Sequence, residues 1–260
     1  MRYLLSLVAL IISLLGANAF AEKYRVGTEG VYPPWNFQNA AGELTGFEVE
    51  LVNAIAKLTG DEIEYVTMDF DALIPNLNAG RVDLFLSGMT INDERKASID
   101  FTTAYAEIPN QFVGKNIDTA SVTSYDDLLK ALEGKVIGAQ AGTLHGVWVE
   151  ETLGDKAELR NYRTSEELAA DVAAGRIDAG FAEQAVWDGY LKEHEGAFSA
   201  FGPTLGSDDN PKLFGEGIGM GIRKGDSKIK EKLDKALDEL RKDGTLKALT
   251  IKYFGFDASK

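Results

Sequence analysis

The hexapeptide Ala79-Gly80-Arg81-Val82-Asp83-Leu84 returns, nearly unchanged, as Ala174-Gly175-Arg176-Ile177-Asp178-Ala179. A helix-like pattern precedes each copy and an apolar run follows it, and the glycine is typical of a residue just past a helix end. The segments Tyr24 to Gly27 and Lys135 to Gly138 form a second matching pair. This repetition predicts two similar α/β lobes in one chain.

Strands and helices alternate through both predicted lobes. Further strands are predicted at residues 64–68, 84–86, 111–115, 180–182 and 217–223, and helices at residues 47–59, 125–133 and 228–242. Such alternation predicts mainly parallel sheets, and the ligand sites of parallel sheets lie at the carboxyl ends of the strands. The loops that follow both matching strands, after Gly27 and after Gly138, are therefore candidate site loops.

The chain has to cross between the lobes twice. Extended segments near residues 106–112 and 206–215 are the expected crossings, and two crossings make a hinge. The sequence therefore predicts an α/β chain of two Rossmann-like lobes joined by a two-segment hinge. Lobe I comprises residues 22–108 and 213–260, and lobe II comprises residues 109–212.

The first 21 residues have the layout of a secretory signal peptide. Arg2 precedes the apolar run from Tyr3 to Leu15, which leads into the small residues from Gly16 to Ala21. We expect cleavage after Ala21, with a competing site two residues earlier, and a mature protein in the periplasm. An uncleaved, membrane-anchoring helix is the alternative, but the apolar run is shorter than the ~20 residues of a membrane span.

Composition excludes several classes of function. The 260 residues include no cysteine, which rules out disulfides, thiolate nucleophiles and a lipid anchor on cysteine. With 41 acidic and 27 basic residues the formal net charge is −14, so a nucleic-acid partner is not expected. His145 and His194 are the only histidines, so we expect no histidine metal cluster, and no cofactor is predicted.

Five motifs occur in a characteristic order along the mature chain: Gly27 to Trp35, Gly46 to Leu51, Asp69 to Pro75, Ser87 to Arg95, and Gly244 to Leu246 with Lys252-Tyr253-Phe254. With them the chain resembles the type II periplasmic binding proteins of polar amino-acid ABC importers, and among these the lysine/arginine/ornithine, histidine and opine binders. The resemblance implies the type II fold, a monomer, a membrane ABC permease as partner, and closure of the lobes over a small ligand.

The resemblance implies a role for Arg95 in binding the α-carboxylate of the ligand. A guanidinium suits this role because its planar fork can donate two charge-assisted hydrogen bonds. The residues expected to assist are Ser87, Gly88 and Thr90 in lobe I, and Gln140, Thr143 and His145 in lobe II. The residues alone also allow other readings: a surface Arg95 paired with Asp93 or Glu94, a Thr143 that only caps a helix, and a solvent-facing His145.

Two glutamates are implied to bind the positive charges of the ligand. Glu183 occupies the position of the α-ammonium partner, where cationic amino-acid binders usually carry aspartate, so an opine or another N-substituted ligand is also plausible. Glu29 occupies the position that faces a distal cation. Tyr32, Trp35 and Phe70 are expected as aromatic walls, with Trp35 partly structural.

Taken together, the sequence predicts a binding protein and no enzyme, specific for arginine, lysine, ornithine, histidine or an opine-like derivative. The alternatives are a binder of neutral or acidic amino acids, a dehydratase-like enzyme on the same fold, and a receptor sensor domain. The sensor is disfavoured because no membrane span or kinase segment follows Phe256.

Overall fold

The computed structural model describes residues 21–260, so the predicted signal peptide, apart from Ala21, lies outside the described residues. The strands are β1 Lys23–Thr28, β2 Val31–Tyr32, β3 Asn36–Gln38, β4 Leu44–Thr45, β5 Glu62–Thr67, β6 Leu84–Phe85, β7 Ile99–Phe101, β8 Asn110–Gly114, β9 Val136–Gln140, β10 Glu158–Tyr162, β11 Ala179–Glu183, β12 Ser199–Leu205 and β13 Gly221–Arg223. The helices are α1 Phe47–Thr59, α2 Leu73–Asn78, α3 Asp93–Lys96, α4 Tyr125–Leu132, α5 Leu144–Leu153, α6 Ser165–Ala174, α7 Gln184–Glu193, α8 Pro211–Phe214, α9 Ser227–Lys242 and α10 Thr245–Phe254.

Two five-stranded sheets organise these elements. The first has the order β5-β1-β6-β13-β7 and the second the order β10-β9-β11-β8-β12. A small sheet, β2-β3-β4, follows β1 and was not predicted. The described chain is thus the mixed α/β architecture that the sequence predicts, and the predicted bounds of helix α1 are confirmed.

The sheets are less parallel than predicted. Pairs β1–β5, β1–β6, β9–β10 and β9–β11 are parallel, whereas β8 and β13 each pair antiparallel with both of their neighbours. The physical reason is the double crossing. Strands β8 and β13 start beside the crossings, β8 near the end of β11 and β13 near the end of β6. Each of them therefore runs in the direction opposite to that neighbour.

The repeated hexapeptide has the same structural role in each lobe. Asp83 Oδ2 accepts from the backbone N–H of Arg25 at 2.9 Å, and Asp178 Oδ2 accepts from the backbone N–H of Val136 at 2.9 Å. In each case the backbone N–H of the aspartate returns a bond to the carbonyl of the same partner. Each aspartate therefore joins the start of the strand that follows it, β6 or β11, to the neighbouring parallel strand, β1 or β9.

The packing of helix α8 bears on where the chain returns to lobe I. Leu213 and Phe214 of α8 pack in an apolar cluster with Phe112 and Phe181 of the second sheet, although the predicted boundary falls before Leu213. Ile218 then bridges to both Thr90 and Ala106. We therefore propose that lobe II continues through Phe214 and that the chain returns to lobe I from residue 215 onward.

Candidate functional site

A small cavity lies where the carboxyl ends of strands from both sheets meet. Its lining residues are Tyr32, Phe70, Ser87, Gly88, Thr90 and Arg95 from lobe I, and Gln140, Thr143, Leu144, His145 and Glu183 from lobe II. The cavity volume is about 10 Å³ in this closed conformation, which is about the least that holds a water molecule. The lobes must therefore part to admit anything larger.

Arg95 is a buried cation at this cavity. It belongs to the short helix α3, whose cap Asn92 accepts from the Arg95 backbone N–H at 3.0 Å. The guanidinium donates to the carbonyl of Thr90 at 3.0 Å and, across the cleft, to the carbonyl of Gly142 at 3.3 Å. Burial lowers the pKa of Arg95 to about 10, so the side chain is still charged at neutral pH. Arg95 forms no salt bridge among residues 21–260, which excludes the surface pairing with Asp93 or Glu94.

Glu183 faces the same cavity from the opposite lobe. It ends strand β11 and is 5% exposed. The phenol of Tyr32 donates to its Oε2 across the cleft. Burial raises the pKa of Glu183, and the charge of Arg95 opposes that rise only in part. The cavity thus has a cation on one lobe and a carboxyl on the other, as a molecule carrying both charges requires.

Glu29 lies next to the cavity but does not line it. The hydroxyl of Ser87 donates to its Oε2 at 2.7 Å, and the amide of Gln140 donates to its Oε1 at 2.5 Å from the other lobe. Burial raises the pKa of Glu29 to about 7. A cation can reach this carboxylate only by moving between Ser87 and Gln140 or by displacing one of their hydrogen bonds.

Thr143 and His145 both lie at the start of helix α5. Thr143 is the N-cap residue of the helix, but its hydroxyl donates to the carbonyl of Gln140 at 2.7 Å and makes no cap hydrogen bond. His145 is buried, with Nε2 at 2.8 Å from Asn110 Oδ1. Burial lowers the pKa of His145 to about 3. It is therefore a neutral ring inside the protein and not the solvent-facing imidazole that was the alternative.

Known proteins are similar to this chain over nearly all of the described residues. The family model described as bacterial extracellular solute-binding proteins, family 3, matches residues 24–256. The chain belongs to this family. Among its relatives, the L-arginine-binding protein of Pseudomonas aeruginosa is 38% identical over 99% of this chain and 98% of its own length. The histidine-binding periplasmic protein of Salmonella typhimurium is 37% identical over 97% and 96%.

A solved structure gives the same result for the fold. The structure of an ancestral arginine-binding protein bound to arginine matches with a TM-score of 0.79 and is 35% identical in sequence. The match covers 90% of this chain and 98% of that one. The type II fold expected from the motifs is therefore confirmed for this solute-binding protein. Within residues 21–260, no helix is both long and apolar enough to cross a membrane.

In this solute-binding protein, two predicted site residues do not line the cavity, Glu29 and Trp35. Trp35 is fully buried and does not line the cavity. Its ring packs at 5.7 Å from Phe47 and 4.8 Å from Phe254, as measured between ring centroids. This packing in the core of lobe I fits the structural part of the role expected for Trp35, and its contact with a ligand stays a prediction.

Sequence reasoning missed Glu48, a third buried carboxyl. Its Oε1 accepts from the backbone N–H of Gly88 at 2.8 Å and from the phenol of Tyr105, and its Oε2 accepts from Asn36 at 2.8 Å. Burial raises the pKa of Glu48 to about 7. A signal was present, because in helix α1 Glu48 falls on the same buried stripe as Leu51, Val52 and Ile55.

Proposed function

We propose that this protein is the periplasmic binding component of an ABC importer and captures a cationic amino acid or an N-substituted derivative of one. The proposed ligands are arginine, lysine, ornithine, histidine or an opine. The observation that carries this proposal is the facing pair at the cavity, Arg95 from lobe I and Glu183 from lobe II. An α-amino acid carries a carboxylate and an ammonium on one carbon. Arg95 offers a partner to the carboxylate, and Glu183 offers a partner to the ammonium.

The charge balance of the cleft supports a ligand that carries a second positive charge besides its α-nitrogen. Glu29, Glu48 and Glu183 are all buried, and burial raises the pKa of each, whereas Arg95 is the one buried guanidinium among the described residues. A ligand that brings two positive charges and one negative charge stabilises the ionised carboxylates, because an opposite charge nearby favours the charged form. A neutral or acidic amino acid brings only one positive charge, its α-ammonium.

The relatives support the same ligand class. Those with the highest identity reported above are named for binding arginine and histidine. We infer a similar specificity for this chain, with Glu29 as the partner of the distal cation and Tyr32 and Phe70 as the walls of the site. We also infer export by the N-terminal signal peptide, a monomeric state, and delivery of the ligand to a membrane permease.

The proposed mechanism is capture followed by closure. The ligand docks on Arg95 while the lobes are apart, and lobe II then brings Glu183 and the start of α5 onto it. Closure needs a ligand that binds the closed form better than the open one, since only differential affinity shifts such an equilibrium. Contacts from both lobes supply that difference, and the closed form is the one we expect the permease to recognise.

We propose binding without turnover. His145 is a poor general acid or base near neutral pH, because burial lowers its pKa to about 3 and Asn110 holds its Nε2. Burial raises the pKa of Glu29 and Glu48 to about 7, but neither of them lines the cavity. Incubation with prephenate-like acids tests this directly. Formation of an aromatic product would establish the enzymatic alternative.

A thermal-shift screen tests the ligand assignment. The mature protein is unfolded and refolded to remove any ligand, then mixed with arginine, lysine, ornithine, histidine, octopine, glutamine and glutamate. A ligand at about a hundred times its Kd stabilises the fold by ~2.7 kcal/mol. We expect the protein to be stabilised by one or more of the proposed ligands, which are arginine, lysine, ornithine, histidine and the opine octopine. A response to glutamine or glutamate alone would refute the specificity proposed for Glu29.

A further inference from the structure

A second and larger cavity adjoins the first. Its volume is about 490 Å³, and it lies between the two chain crossings, with walls formed by residues 107–110, 204–209 and 217–218 together with Phe214. Cavities of ~300–1,000 Å³ are typical of small-molecule sites. We call this space the hinge cavity, and none of the roles proposed above uses it.

Two residues line both cavities, namely Thr90 and Glu183. They are 6% and 5% exposed. The hydroxyl of Thr90 makes no hydrogen bond within residues 21–260, although its carbonyl accepts from Arg95. Tyr32 donates to Oε2 of Glu183, which leaves Oε1 for a ligand nitrogen. The α-nitrogen of a ligand bound at Glu183 would therefore sit at the junction of the two cavities.

The hinge cavity is acidic. Among residues 21–260, its lining includes Glu107, Asp208 and Asp209 besides Glu183, and includes no lysine, arginine or histidine. Lys260 neutralises Glu107 at 2.5 Å, while Asp209 Oδ2 accepts from the backbone N–H of Gly206 at 2.8 Å. Asp208 forms no ion pair among the described residues. The cavity therefore favours a positively charged group and disfavours a carboxylate.

We propose that the hinge cavity receives an aminoacyl substituent on the α-nitrogen of the ligand, so that the protein also binds dipeptides whose C-terminal residue is basic. The C-terminal residue occupies the site of the free amino acid, its peptide N–H donates to Glu183, and the Thr90 hydroxyl donates to the peptide carbonyl. One more residue adds ~3.5 Å of chain, which carries the terminal ammonium toward Asp208. This inference rests on the proposed function.

The same chemistry distinguishes dipeptides from opines. An opine carries a carboxylate on its N-substituent, and that carboxylate would lie among Glu183, Asp208 and Asp209. Like charges placed together in a binding site cost several kcal/mol. We therefore expect the N-substituted ligands of this protein to carry a basic or neutral substituent and not an acidic one.

Calorimetry at low salt with the refolded protein tests the proposal through four ligands: arginine, glycyl-arginine, Nα-acetylarginine and octopine. We expect glycyl-arginine to bind about tenfold more tightly than acetylarginine, and octopine to bind most weakly. If arginine binds but glycyl-arginine does not, or if octopine binds better than glycyl-arginine, the hinge-cavity proposal fails and the proposed function stands. If none of the four binds, the hinge-cavity proposal fails, and the proposed function fails with it if lysine, ornithine and histidine do not stabilise the protein in the thermal-shift screen.

A charge reversal supplies the matched control. Asp208→Lys places a cation in the hinge cavity, whereas Glu195→Lys makes the same change of charge at an exposed residue that does not line either cavity. We expect Asp208→Lys to weaken glycyl-arginine about tenfold and to leave arginine unchanged, with no effect of Glu195→Lys on either ligand. An equal effect of the two variants on glycyl-arginine would overturn the assignment of its ammonium to the hinge cavity.

Discussion

The side-chain amide of Gln140 donates to Oε1 of Glu29 at 2.5 Å, which joins the end of β9 in lobe II to the end of β1 in lobe I. The other N–H of the same amide goes to the carbonyl of Arg163 at 3.0 Å, so its position is fixed within lobe II. Ser87 donates to the second oxygen of Glu29. The proposed partner of the distal cation is therefore held by neutral donors from both lobes, and a ligand has to compete with them.

The substitution Glu29→Gln tests this arrangement through selectivity. A glutamine at this position can still accept from Gln140 and can donate to Ser87, so the closed contacts survive while the negative charge is lost. A charge-assisted hydrogen bond contributes ~1.5–3 kcal/mol, so we expect arginine to bind about 10- to 100-fold more weakly. Calorimetry with arginine and glutamine measures the change, and an equal loss for both ligands would mean that Glu29 acts on the fold and not on the cation.

The same variant has a predicted effect on stability. In the folded protein burial raises the pKa of Glu29 from 4.5 to about 7. Between these two values the folded state holds a proton that the unfolded state has released, so this group makes the ligand-free protein less stable as pH rises, by up to about 3 kcal/mol. His145 acts in the opposite direction between about 3 and 6.5, because burial keeps it neutral. The difference between wild type and variant isolates Glu29.

Urea unfolding at about pH 5 and about pH 8 provides the measurement. We expect the Glu29→Gln variant to gain stability relative to wild type at the higher pH, with the gain built up mainly between pH 4.5 and 7. A difference in unfolding free energy that is the same at both pH values would show that Glu29 is ionised throughout.

Much of this architecture follows from local sequence, and the rest depends on contacts that no local pattern records. The repeated hexapeptide correctly indicates two similar lobes. It can do so because Asp83 and Asp178 make the same local hydrogen bond to a backbone N–H in each lobe. By contrast, Gln140 and Glu29 are 111 residues apart and meet only when the lobes close. For that reason the hydrogen bond from Gln140 to Glu29 could not be predicted from the sequence.

Two other differences have equally specific causes. Trp35 belongs to a motif that suggests a ligand wall, but its ring enters the cluster of Phe47 and Phe254, a contact between the two ends of lobe I. The antiparallel strands β8 and β13 result from the double crossing, which reverses the chain direction relative to the sheet it enters. Both outcomes depend on which distant segments pack together.

The role proposed for Arg95 predicts a large loss of binding on truncation. Arg95→Ala removes the only guanidinium that lines the cavity in the described part of the chain. We expect arginine affinity to fall by at least about 100-fold, since removing one partner of a buried charged hydrogen bond costs ~2–5 kcal/mol. Trp35→Phe is the matched control, because it changes a buried side chain outside the cavity and is expected to lower the melting temperature with little change in affinity. Full-strength binding by Arg95→Ala in calorimetry would refute the carboxylate assignment.

The two aspartates of the repeated hexapeptide predict a graded effect on stability. Asp178→Ala leaves the backbone N–H of Val136 without its side-chain acceptor, and an unsatisfied, partly buried N–H costs ~1–3 kcal/mol. Asp83→Ala removes the equivalent bond to Arg25 and also the contacts from the Arg25 guanidinium at 2.9 and 3.1 Å, so we expect a larger loss. The Arg25 side chain is 41% exposed, which keeps the extra loss of stability below about 1 kcal/mol. Chemical unfolding of both variants measures the order, and a loss for Asp178→Ala that exceeds the loss for Asp83→Ala would show that the two lobes do not use the repeat in the same way.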